Sequence, residues 1–193
     1  NVPAFTSLNA ASGGSGSFSY RWQMTTDASA VAGGPGWTDV PGGNGITLDY
    51  GTLTATTRFV RRAINATCNT PVYSNIITVT VHPQLSGGDI NSNQTICYGA
   101  DAAAFTSGGP ATGGSNSFTY TWQYTTNMTA ALGDAAWMDI NAHGLAYDHG
   151  TLTTTTRFVR KAVDAFCPTP VYSDILTVTV RPVPVAPVSV ASN

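Results

Sequence analysis

The stretch TLTATTRFVRRA, residues 52–63, returns as TLTTTTRFVRKA at residues 151–162. A near-copy one domain length away constrains the fold more than any single motif, because each copy must be a unit that can be built twice. The rest of the chain keeps the register. FSYRWQ (18–23) matches FTYTWQ (118–123), and Trp37 matches Trp137, at an offset of 100 residues. Cys68 matches Cys167, and TPVYSNIITVTV matches TPVYSDILTVTV, at an offset of 99. One residue is lost near PGGNG (41–45), where a loop tolerates a deletion. Roughly half of the aligned positions are identical. The expected organisation is a first repeat over 1–83 that lacks its leading strand, a second over 84–182, and a linker or the start of a further repeat over 183–193.

The expected fold class is all-β: two tandem immunoglobulin-like β-sandwich domains. Phe118, Tyr120, Trp122 and Tyr124 alternate onto one face, the period-two pattern of a half-buried strand. TTTTRFVRKAVDA and VYSDILTVTV alternate likewise and are rich in β-branched residues. The Val159 face of the first run is expected to meet the core, as is the Leu176 and Val178 face of the second. Composition agrees: there is no Glu, and Lys161 is the only lysine, so two strong helix formers are nearly absent. Trp22 and Trp122, with Tyr20 and Tyr120 beside them, are the expected core framework.

Three cysteines are explained by the repeat. Cys97 and Cys167 belong to one copy, whereas the partner of Cys68 would lie before Asn1. A Cys97–Cys167 disulfide at one end of the sandwich is expected, with Cys68 partnerless, implying an oxidising, extracellular setting. Three free thiols in a cytosolic protein is the alternative.

The ends read as a window on a longer array. Residues 188–193, VSVASN, resemble GDINSN at 88–93. A second reading makes the chain a polymerising filament subunit, completed by a neighbour's C-terminal strand. Val183, Val185, Val188 and Val190 could line that strand, although Pro184 and Pro187 interrupt it.

Reaction chemistry finds little purchase. His82, His143 and His149 do not recur between the copies and are expected on the solvated surface. No metal centre is expected; the recurring Asp39/Asp139 and Asp49/Asp148 could offer oxygens to calcium, but they match no calcium loop. An ion pair of Asp39 or Asp139 with Arg58/Arg157 or Arg61/Arg160 is the preferred role. Trp37 and Trp137 follow variable loops and are the possible ligand-facing residues of a carbohydrate-binding module, although their recurrence favours a framework role. A formal charge of −2 without a basic stripe argues against nucleic acid. No apolar run of about 18 residues exists to insert in a membrane.

The motifs I-C-x-G, G-G-S-x-S-F-x-Y-x-W-Q, W-x-D-[VI] and G-T-L-T-x-T-T-R-F-V-R, beginning TICYGA and ending SDILTVTV, cover nearly the whole chain. The pattern resembles the Ig-like, PKD-like repeats of very large Bacteroidetes surface proteins, including adhesins linked to gliding motility and type IX secretion. The resemblance implies a non-catalytic stalk or adhesive filament outside the cell, on the surface or secreted. It pairs the equivalents of Cys97 and Cys167. No cofactor is expected, and the expected partners are neighbouring repeats of the same or adjacent chains, with surface glycans as a further candidate.

Overall fold

A computed structural model describes residues 3–90 and 93–187. Val188 and Val190, named above for a tail strand, and the 188–193 similarity lie outside the described residues. The architecture is all-β, and the chain separates into two compact units, residues 1–82 and 83–193.

Unit 1 holds β1 (Phe18–Thr25), β2 (Thr38–Asp39), β3 (Thr57–Asn65), β4 (Pro71–Tyr73) and β5 (Ile77–Val79). β1 and β3 pair antiparallel over their whole length, with Trp22 opposite Arg61. β2 lies on the outer edge of β1; β4 and β5 share the far edge of β3. Unit 2 has three strands before it repeats this plan, the first two being β6 (Asp89–Ile90) and β7 (Gln94–Cys97). Then follow β8 (Ser107–Gly109), β9 (Phe118–Thr125), β10 (Met138–Asp139), β11 (Thr156–Asp164), β12 (Val171–Tyr172) and β13 (Leu176–Arg181). The main sheet runs β10-β9-β11-β13-β7, with β7 and β13 parallel. β6 pairs with β8.

The strands β12 and β13 are one extended run broken at Ser173. Its Oγ accepts from the Arg160 N–H at 3.0 Å, and its own N–H donates to the Arg160 carbonyl at 2.9 Å. Ser74 does the same for Arg61. A serine at this position keeps the backbone of the central strand satisfied across the break, which a buried peptide group requires.

A second layer covers one face of each sheet. In unit 2 it is tied by Phe105 and Tyr147, which exchange backbone hydrogen bonds of 2.7 and 3.0 Å. The core between the layers holds Phe105, Trp122, Phe158, Leu176, Val178 and Ile90. Each fully buried side chain of this size contributes roughly 1.5–3 kcal/mol. Unit 1 repeats the arrangement with Trp22, Phe59, Val40 and Leu48.

The expectation that the Val159 face meets the main core needs correction. Phe158 packs with Trp122 in that core, and Ala162 two turns of the alternation further on is also fully buried. Val159 is also fully buried, but on the opposite side, under Trp137 and Ala130. Alternation reads correctly here, while both faces are covered, so the pattern cannot tell one core from the other.

Candidate functional site

Arg160 is the largest fully buried charged side chain. It stands on β11 opposite Trp122, which points it into the core layer. Its Nη2 donates to the Gly109 carbonyl at 2.7 Å, and Nη1 to Ser107 Oγ at 2.8 Å and the Leu145 carbonyl at 3.3 Å. The Gly87 and Asp89 carbonyls lie 3.5 Å from Nη2. The guanidinium sits 5.1 Å from the centre of the Tyr120 ring. Burial lowers its pKa, against the opposing fields of Tyr120, Asp174 and Asp89. A buried cation is thus held by carbonyl oxygens and an aromatic face, which suits the planar five-donor fork of arginine.

Arg61 is the counterpart in unit 1. It donates to the Ile46 carbonyl at 2.7 Å and the Asn9 carbonyl at 3.2 Å, and lies 4.9 Å from the Tyr20 ring centre. The surroundings differ in one respect. In unit 2 the segment through Gly87, Gly88 and β6 is inserted between β8 and the β12–β13 break, where Ile90 donates to Asp174 Oδ1 at 2.8 Å. In unit 1 the same place is a groove of about 470 Å³. Ser7, Asn9, Val72, Ser74 and Ile77 line it, with Arg61 and Trp22 at its floor. Leu8 at its lip is almost wholly exposed, and Val72 is half exposed. Among the described residues β5 pairs with β3 alone, whereas its counterpart β13 pairs with both β11 and β7.

The expected disulfide is not formed; Cys68, Cys97 and Cys167 are all free. The reason is topological. Cys97 is in register with Arg181, three residues beyond the Val178 that faces Thr156 at the start of β11. Cys167 lies past the other end of β11, where its N–H donates to Asp164 Oδ1. The nine-residue strand between them is about 26 Å long, against the roughly 7 Å within which two Cα atoms can be bridged. Membership of one copy suggests that the two cysteines share one end of the sandwich. They occupy opposite ends.

Trp22 and Trp122 are buried in their cores, each donating its indole N–H to a loop carbonyl: Gly45 at 3.1 Å and Gly144 at 3.2 Å. Tyr20 and Tyr120 are half-buried and face the arginines. Trp137 takes the framework role that its recurrence favours. The residue is buried against Val159, donates to the Ala131 carbonyl at 2.7 Å and lies under the Arg157 guanidinium. Trp37 is half-buried and donates to the Val31 carbonyl at 2.8 Å. Both indoles pin the loop that precedes them. Arg157 completes that anchor by donating to the Met128 and Ala130 carbonyls, as Arg58 does to Ala28 and Ala30.

The aspartates pair differently from expectation. Asp39 accepts from Gln23 at 2.8 Å and stands 3.7 Å from Arg21. Asp139 accepts from Gln123 at 2.6 Å and stands 3.6 Å from Lys161. The preferred arginines are committed to backbone carbonyls instead. Among the described residues no group of three His, Cys or acidic side chains is placed to hold a metal ion. His149 is not a solvated residue: it packs against the rings of Tyr124, Tyr147 and Phe158, and burial lowers its pKa.

Asp164 marks a difference between copies that sequence reading passed over. Burial pushes its carboxyl up, but hydrogen bonds from the Ser115 side chain and from the N–H groups of Cys167, Phe166 and Ser115 more than offset this and hold it at about 2. Asn65 occupies the position in unit 1, accepting from the N–H groups of Thr67 and Cys68. A depressed carboxylate stabilises the fold fully above its unfolded pKa of about 4, and that stability is lost as pH falls toward the folded value. The thermal midpoint of unit 2 is therefore expected to fall between pH 4 and pH 2 through this group. Asp164→Asn is expected to flatten that part of the profile, as read by thermal melts across the window.

A family model described as a domain of unknown function, DUF8696, matches the chain twice, over residues 3–83 and 86–182. No curated protein matches the chain.

Proposed function

The chain belongs to the DUF8696 family, in two tandem copies, and from that premise we propose that it is a non-enzymatic, load-bearing segment of an extracellular repeat protein. One observation carries the reading. The first and last strands of the unit 2 main sheet in chain order, β7 and β13, are parallel neighbours, paired from Gln94↔Val178 to Cys97↔Arg181. Tension applied to the chain on either side draws these strands in opposite directions along their length. Their ladder is then sheared, with all its hydrogen bonds loaded together rather than broken one by one.

What recurs between the copies supports the same reading. The shared residues are spent inward: the tryptophans in the cores, Arg61 and Arg160 among carbonyls, Arg58 and Arg157 on loop anchors. Duplication then multiplies a fold rather than a reaction centre. The setting, a stalk or filament of a surface or secreted adhesin, rests on the sequence resemblance and not on a disulfide.

Pulling the whole chain from its ends in a single-molecule experiment tests the proposal. Unit 2 is expected to yield in one discrete event that releases about 300 Å of chain between Gln94 and Arg181. Featureless extension would overturn it. So would an event no stronger than the one seen when force is applied to peel β7 from β13.

A further inference from the structure

We propose that unit 2 carries an acid-operated latch: a proton taken up by His149 drives its ring out of an aromatic cluster and frees residues 147–152 from residues 99–105, while unit 1, with Tyr50 in that place, stays closed.

The two copies build the same corner with different rings. His149 meets the Phe158 ring edge-on, with centroids 4.9 Å apart and planes at 66°. Tyr50 meets Phe59 in the same pose, at 5.1 Å and 63°. In unit 2 the imidazole also contacts Tyr147 at 6.0 Å and Tyr124 at 6.5 Å. A phenol keeps its charge state across the range in which an imidazole changes its own. One substitution between the copies thus places a titratable ring beside a fully buried phenylalanine.

A proton has no outlet there. Nδ1 of His149 is buried and has no hydrogen-bond partner among the described residues. A neutral ring can leave that nitrogen as an unused lone pair, whereas the imidazolium must carry an N–H on it. A buried charge with an unpaired donor is strongly disfavoured, and the ring escapes by moving into water. The surrounding groups compensate too little. Burial lowers the His149 pKa, and the field of Asp148, next to it in the chain, only opposes this in part. Asp148 Oδ1 already accepts from the Gly150 N–H at 3.2 Å. Tyr147 lies on the same segment, and burial pushes its phenol higher still. β9 presents Tyr124 and β11 presents Phe158. The arginines on either side of Phe158 in β11, Arg157 and Arg160, are committed to backbone carbonyls. Asp101, on the opposing segment, is exposed and bridged to Thr151.

The ring anchors the middle of a seam between layers. Phe105 and Tyr147 exchange backbone hydrogen bonds of 2.7 and 3.0 Å, and the Ala102 N–H donates to the Gly150 carbonyl at 3.3 Å. The Leu152 N–H donates to the Ala100 carbonyl at 3.1 Å, and the Gly99 N–H to the Leu152 carbonyl at 2.8 Å. Gly99 follows closely on β7, so opening of the seam reaches the end of the β7–β13 ladder. An unfolded histidine takes up its proton at about pH 6.5. The buried ring resists to lower pH. The closed seam is therefore fully stable above about pH 6.5 and loses stability as pH falls below it. Asp164, held at about 2, acts in a lower range.

Amide exchange of the whole chain between about pH 8 and about pH 5, corrected for the intrinsic effect of pH on exchange, tests the latch. Protection at Phe105, Tyr147 and Leu152 is expected to fall by up to about tenfold per pH unit below about 6.5. Phe5 and Leu48, the paired amides of unit 1, are expected to hold theirs. His149→Tyr installs the residue that unit 1 already uses and is expected to abolish the fall. In the unsubstituted chain, the imidazole signal of His149 followed by NMR is expected to titrate below the ordinary value of about 6.5. A His149 that titrates at or above that value, equal losses in both units, or a loss that survives His149→Tyr would overturn the inference. Exchange is read without force, so the latch stands or falls apart from the load-bearing reading.

Discussion

Replacing Arg160 with alanine is expected to destabilise unit 2 by about 4 kcal/mol, and Arg61→Ala to destabilise unit 1 by only about half as much. The larger figure has two sources. Truncation leaves the Gly109 and Leu145 carbonyls and the Ser107 hydroxyl without their donor, and each buried polar group so abandoned costs roughly 1–3 kcal/mol. It also empties the volume of a long side chain in a core that relaxes only in part. Against a typical domain stability of 5–15 kcal/mol, unit 2 would be left marginal. In unit 1 the groove lies beside Arg61, so water can reach the carbonyls it leaves. Urea melts that resolve the two units read the difference directly as shifts in midpoint. Equal losses in both units would show that the inserted strand does not seal the arginine site.

Gly87→Ala should cost unit 2 about 3 kcal/mol, an effect larger than its one added methyl suggests. The obstacle at 1.8 Å is the Tyr172 carbonyl and the next peptide, not a side chain that can swing aside. Overpacking against backbone costs roughly 1–3 kcal/mol. If the segment lifts out instead, burial of Ile90, worth a further 1.5–3 kcal/mol, goes with it. Amide exchange separates the two responses. The lifted state exposes Ser107–Gly109 and the groove wall while β9 and β11 stay protected. It would turn the unit 2 groove into an open one like that of unit 1. A variant with wild-type stability and an undisturbed β6 would count against the close approach.

The sequence made the repeat, the all-β class and the buried tryptophans legible, because period two and a 100-residue offset are written residue by residue. Trp122 and Leu176 are where alternation puts them. It failed where one pattern serves two environments. Alternation separates Val159 from Phe158 and offers the Val159 face to the core, but only the path of the loop ending at Trp137 shows that both faces are covered. The cysteines failed for a different reason. Membership in one copy says nothing about which end of a sandwich a residue reaches, and β11 separates Cys97 from Cys167. Arg160 is matched to the wrong partner, because a cation in a strand is naturally paired with a recurring acid such as Asp139 unless its acceptors are known. Those acceptors are backbone carbonyls of distant segments, which carry no side-chain signature. The demand for glycine at position 87 was not legible, because the carbonyl of Tyr172 that it must clear comes from a segment 85 residues away.

The clamped loop between β9 and β10 has a practical consequence. Trp137 and Arg157 fasten its base through main-chain oxygens, so the grip does not depend on which side chains the crest carries. Foreign sequence grafted between Leu132 and Ala136 would inherit a rigid pedestal. The same graft in the corresponding turn of unit 1 would be presented a second time, making the chain a two-headed scaffold for display.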